Sequence, residues 1–131
     1  MANDLIPFKE EGERVTCTPS AAVTGKRFVS ISGDKNADGT YTIAPTGAGG
    51  KVFGVACWDA GIGAKVTVIT VPSGMHVPVT ASGAITAGTS VKSGAAGVAV
   101  AATAADKAYG ICLSGAADGA DAIIQLAHHT A

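Results

Sequence analysis

Short runs of apolar and β-branched residues, broken at close intervals by Gly, Pro, Asp and Asn, predict strands joined by turns along almost the whole chain. Arg14 to Thr18 reads as a strand that Pro19 ends. In Arg27 to Ser32 the apolar Val29 and Ile31 alternate with Phe28 and Ser30, as in a strand with two different faces. GDKNADGT is turn chemistry, Tyr41 to Ala44 resumes a strand, and PTGAGG is a loop. Val52 to Trp58 is an apolar strand that Gly54 must bend or bulge, and Lys65 to Val71 follows it. In the second half, Pro78 confines any strand in MHVPVTA to a sheet edge or a break. Strands are then expected within Ala84 to Lys92, at Gly97 to Val100, at Ala108 to Leu113 and at Ala122 to Leu126, with AHHTA as a short polar tail. Alanine is the best helix former, so GVAVAATAAD could pass for a helix; the order of elements in the first half argues for a strand and a turn instead.

That comparison is possible because the chain repeats itself. KVFGVACWDAGIGAKVTVITV, from Lys51 to Val71, aligns without a gap on KAYGICLSGAADGADAIIQLA, from Lys107 to Ala127, fifty-six residues further on. Lys51, Gly54, Ala60, Gly63 and Ala64 meet Lys107, Gly110, Ala116, Gly119 and Ala120. Upstream, Val23, Gly25 and Val29 are matched by Ile85, Gly88 and Val91. Two copies are too few for a solenoid, which leaves an all-β fold, a small β-barrel or two-layered β domain built from a duplicated strand-turn-strand unit. Gly63 and Gly119 should take equivalent turn positions. The expected organisation is an extended N-terminal arm over residues 1–13, which Pro7 keeps from being helical, and a single β-rich domain over 14–131.

Composition narrows the function. Hydrophobic residues make up 47% of the chain, but much of this is alanine and only three are leucine, so the core is thin and β-branched. A formal net charge of −1 without a run of Lys or Arg argues against nucleic acid or an anionic membrane as partner. MANDLIPFKEEGER lacks the basic start and apolar core of a secretory signal, and no stretch is long and apolar enough to span a bilayer, so a soluble protein made in a cytosol is expected. Cys17, Cys57 and Cys112 have no metal-like spacing and are read as small buried hydrophobes.

Candidate chemistry is sparse. Asp34 to Gly39 places oxygen ligands at the first, third and fifth positions and Gly at the sixth, as a calcium loop does, but Pro45 stands where the bidentate carboxylate belongs and the flanks are strands. A hairpin turn accounts for the same residues. Ser32 and Lys35 match S-x-x-K without its helix or partner motifs, and TGAGGKV lacks the first Gly and the Ser or Thr of a phosphate loop. His128 and His129 are adjacent and point apart in an extended chain, and His76 is alone. Neither a cofactor nor a metal is expected, and no catalytic set emerges; Trp58 with Asp59 and the loop around Asp34 leaves a carbohydrate-binding module as the alternative.

The succession of elements, MANDLIPFKEEG, AAVTGKRFVSISG, APTGAGGKVFGVACWDAGIGAKVTVI, TASGAITAGTSVKSGAAGVAV and AYGICLSGAADGADAIIQL, resembles the capsid decoration, or cement, proteins of tailed bacteriophages, especially those of phages infecting actinobacteria. The resemblance covers almost the whole chain; the DKNADG loop and the AHHTA tail depart from it. It implies a non-enzymatic virion protein on the outer face of the major capsid shell, a homotrimer at local three-fold positions that locks capsomers together. The phage major capsid protein is then the partner. Capsid contacts in such proteins concentrate in the arm, which here means Asn3, Asp4, Leu5, Ile6, Pro7, Phe8 and Lys9.

Overall fold

A computed structural model of the chain describes Asn3, Leu5, Ile6, Phe8, Lys9 and residues 12–131. Asp4 and Pro7 of the expected arm contacts lie outside the described residues. The fold is all-β. Five strands, β1 (Arg14–Pro19), β2 (Phe28–Ile31), β3 (Tyr41–Pro45), β4 (Gly54–Ala56) and β5 (Val66–Thr70), form a closed barrel in the order β1-β3-β2-β4-β5. Antiparallel β1–β5 and parallel β1–β3 pairing close it, the latter through Cys17–Tyr41, Thr18–Thr42 and Pro19–Ile43. Val15, Cys17, Val29, Ile43, Val66 and Val68 fill the interior, one residue in two along their strands as the pleat requires. Their small size suits a narrow five-stranded barrel.

A second five-stranded sheet follows, ordered β6-β10-β9-β7-β8, from β6 (His76–Thr80), β7 (Ser90–Ser93), β8 (Ala99–Ala101), β9 (Lys107–Ser114) and β10 (Asp121–Thr130). Strand for strand it repeats the first unit, so the duplication is wider than the strand-turn-strand segment that the sequence displays. Val23 bridges Ala60 as Ile85 bridges Ala116. Gly63 N donates to Pro19 O as Gly119 N donates to Ala81 O, and both glycines have φ of 81°. Lys26 N donates to Ala56 O as Gly88 N donates to Cys112 O, and Lys26 and Gly88 both have positive φ, so Lys26 rather than Gly25 is the counterpart of Gly88. A side chain had stood where the eye sought a glycine.

Before β2 the two copies are offset by sixty-two residues and after β3 by fifty-six. The difference lies in one connection. Ser32 N donates to Thr42 O across the β2–β3 turn, while the equivalent Gly94 N donates to Val98 O, so the first copy holds six extra residues there. These are the residues of the DKNADG turn. The shorter connection contains a 3-10 turn at Ala95–Gly97, ahead of β8, which therefore begins later than the Gly97 expected from the sequence.

The second unit stays open where the first closes. Its counterpart of the β1–β3 pairing is a single parallel bridge, Ala81–Ala99. Here the first barrel supplies what is missing: Phe28, fully buried, and Val55 and Val71 belong to the hydrophobic cluster that also holds Val79, Val91, Ile124 and Leu126. Thr80 N on β6 donates to Lys26 O, Gly49 N donates to Ser93 O, and a Cβ on Gly97 would fall 2.3 Å from Phe28 O, which only glycine permits. Lys26 also pairs with Asp121 at 2.8 Å. Phe28 is thus the wedge in the seam between β6 and β8.

Other departures from the sequence reading are local. The expected strand at Val52 to Trp58 shrinks to Gly54–Ala56, with its ends serving the turns. AHHTA is no tail: β10 runs through it, pairing His129 with Ala108 and Thr130 with Lys107 beyond a β-bulge. Pro78 does sit on an edge strand. Cys17 and Cys112 are buried, but Cys57 is exposed, because its side chain faces outward at the barrel rim.

Candidate functional site

The arm reaches the barrel at the extra residues of the β2–β3 turn. Phe8 packs against Tyr41, ring centroids 6.2 Å apart, and Tyr41 meets Phe53 edge-on at 5.9 Å. Lys9 and Lys35 hold their ammonium groups 5.0 Å and 5.4 Å from the Phe8 ring, as cations held over an aromatic face are. A Cβ on Gly39, whose positive φ turns the loop back toward β3, would lie 3.7 Å from Phe8 Cζ. Between arm and barrel lies an open groove of about 680 Å³ lined by Phe8, Val15, Ile31, Lys35, Tyr41 and Phe53 among others. Leu5 and Ile6, at 86% and 85% exposure, project beyond this anchor without covering.

The loop is held rigidly. Asp38 accepts from the Thr40 backbone N–H at 3.0 Å and its hydroxyl at 2.7 Å, and forms an ion pair with Lys65 at 3.0 Å; these bonds hold its carboxyl well below the usual carboxylate range. Asn36 Nδ2 donates to Thr40 O, and Asp34 contributes its backbone carbonyl to the Thr42 hydroxyl. Of the side chains that suggested calcium, Asp38 is thus engaged through its carboxylate in fastening the loop to β3 and β5, and Asn36 through its amide nitrogen. Among the described residues no group of three His, Cys, Asp or Glu side chains is placed to hold a metal ion.

The remaining sequence candidates are separated. Ser32 Oγ bonds Ser20 Oγ while Lys35 stacks on Phe8. In PTGAGGKV the Thr46 hydroxyl pairs with Ser30, and the Gly49 and Gly50 amides donate to Ser93 and Gly47 carbonyls. His76 stands exposed on the edge strand β6. His129 meets Ser90 at 2.8 Å, and His128 packs on Tyr109. Trp58 is half exposed, with its indole N–H donating to Lys65 O, and Asp59 accepts from Gly25 N. The Asp34 groove does not include Trp58, so no platform unites the two. Burial pushes the Cys17 thiol up to about 11, which leaves it unreactive at neutral pH.

Sequence reasoning found the arm and missed its seat, because Tyr41, Phe53 and Ile31 come from three separate segments that meet only when β2 pairs with β3 and β4. It also missed an apolar stripe on the outer face of the second sheet, formed by Pro78 opposite Ile123 and by Ile111 and Leu113. A signal was available: β9 carries Ile111, Cys112 and Leu113 in succession, apolar toward both faces.

Among the described residues the β scaffold leaves apolar groups uncovered on the arm and on an open sheet face. The chain belongs to the phage cement protein family, whose model matches residues 9–127. It is also similar in fold to the N base of the head fiber protein gp8.5 of bacteriophage phi29, with 20% identity, a TM-score of 0.71, and coverage of 86% of this chain and 92% of that one. No curated protein matches it.

Proposed function

We propose that this chain decorates the outer face of a phage capsid as a homotrimer, bridging neighbouring capsomers of the major capsid protein through its N-terminal arm. Residues 14–131 act as one unit that carries the arm, and the protein performs no catalysis. It is made in the bacterial host's cytoplasm and ends on the virion surface. Membership of the cement protein family supports the location. The observation that carries the arm's role is the uncovered pair Leu5 and Ile6 beside an anchored Phe8. Burial of each such side chain contributes about 1.5–3 kcal/mol, a gain that the isolated chain forgoes and a partner surface would supply.

The arm is fixed at its root and apolar at its tip, so little loop entropy opposes its docking. With three arms engaging one local three-fold site, linked binding strengthens attachment by about 10² to 10⁴ over a single arm. Removal of residues 1–9 tests this. The shortened protein should keep its melting transition, since among the described residues none of the arm belongs to the barrel core, and should lose cosedimentation with undecorated capsids. Undiminished binding would exclude the arm, and absence of binding by the intact chain would exclude decoration.

A further inference from the structure

The groove beneath the arm has no counterpart in the second unit, and departures from the repeat build it. Where the first unit has Ile31 and Tyr41, the second has Ser93 and Gly97, and Gly97 is pressed against Phe28 with no room for a side chain. The extra residues of the β2–β3 turn bring Asp34 and Lys35 to the groove, and the arm brings Phe8 and Lys9. Phe53 is kept in kind as Tyr109, but that ring is met by His128 on the longer β10. A groove assembled from parts that the duplication does not share is no by-product of the common frame.

Its charges and its floor call for one kind of occupant. Lys9 holds its ammonium 5.0 Å from the Phe8 ring and 5.6 Å from the Tyr41 ring, and Lys35 lies 5.4 Å from Phe8, so two cations converge on one aromatic cluster. The ion pairs among the described residues, Lys26–Asp121, Lys65–Asp38 and Lys92–Asp106, include neither of them. Asp34 also lines the groove, so two lysines against one aspartate leave it cationic on a chain whose net charge is −1. Beside the cations lie the partly buried rings of Tyr41 and Phe53. We propose that this groove receives a segment of the major capsid protein in which an Asp or Glu stands beside an apolar residue, the carboxylate facing Lys9 and Lys35 and the apolar group resting on Tyr41 and Phe53. The inference rests on the decoration reading above and deepens it by naming the chemistry of the surface that is recognised. Opposite charge across such a contact fixes the register of docking and speeds encounter. Leu5 and Ile6, just ahead of Phe8 in the chain, are uncovered, so a partner that buries them comes within reach of the groove as well.

The test is zero-length crosslinking of decorated capsids with a carbodiimide, which joins a lysine to a carboxylate only where the two are in contact, followed by peptide mass spectrometry. Lys35 or Lys9 should be joined to a capsid Asp or Glu that neighbours an apolar residue. In parallel, Lys35→Glu should weaken cosedimentation with undecorated capsids about tenfold, the low end of what electrostatic steering contributes, and Lys35→Gln should weaken it less. Lys107→Glu makes the same change of net charge on β9 of the second unit and should bind as the native protein does. Melts verify that each variant folds, and the crosslinking is done on the native chain. Coupling of Lys9 and Lys35 only within this chain or to a second copy of it, or equal weakening by Lys35→Glu and Lys107→Glu, would overturn the proposal. Failure of the native chain to bind capsids would defeat decoration itself, whereas binding that arm removal abolishes and Lys35→Glu leaves unchanged would defeat the groove alone.

Discussion

Gly54 and Gly110 occupy equivalent positions and meet equivalent obstacles. A Cβ on Gly54 would lie 2.4 Å from Ile69 O and 2.6 Å from Val68 Cγ1, and one on Gly110 would lie 2.3 Å from Ile124 Cγ2 and 2.8 Å from Gln125 O. Both strands cross their neighbours too closely for any side chain. Gly54→Ala and Gly110→Ala should each cost about 1–3 kcal/mol, measured by denaturant unfolding, since the overpacked atoms include backbone. A different residue-scale effect concerns acid. The Lys92 ammonium, with the Thr103 N–H and hydroxyl, lowers the Asp106 carboxyl to about 2, and Asp38 lies lower still. A carboxyl with a depressed folded-state pKa adds stability that is complete above its unfolded value and disappears as pH falls through the folded one. Melting temperature should therefore decline from about pH 4 downward, and the decline should be shallower in Asp106→Asn.

At the scale of elements, the seam between β6 and β8 and the β2–β3 loop give opposite expectations. Phe28→Ala removes the wedge from a shared core and should destabilise the protein by about 3–5 kcal/mol in chemical denaturation. The loop should be indifferent to calcium, because the Asp38 carboxylate is already bonded to Thr40 and Lys65. Melts with calcium and with chelator should coincide; a rise with calcium would reveal binding to the folded state. Most strands were legible from turn residues and from the ungapped repeat, since Gly63 and Gly119 mark equal turns in plain sequence. The closure of one unit and the opening of the other were not, because the β1–β3 and β6–β8 pairings join edges distant in sequence and leave no local pattern. The end of β10 escaped for a related reason: AHHTA is polar, and only its long-range pairing with β9 makes it a strand. The arm stood out by its apolar residues, whereas its seat is made of side chains distant in sequence.

For the whole molecule, the duplication gives two similar frames with different surfaces. The extra turn residues, the groove and the arm all lie on the first, and the open apolar face lies on the second. The wedge at Phe28 has a further consequence, for the order in which the chain is made. Residues up to Val71 contain every pairing that closes the first barrel, so this half can organise itself while the rest is still being synthesised. The half that follows has an interior completed by a side chain from its predecessor. Its folding waits on a template that is already in place, and a copy expressed without that template would hold a gap the size of a phenyl ring. The second half needs the first to complete its interior, and the first is the half that a ribosome delivers earlier.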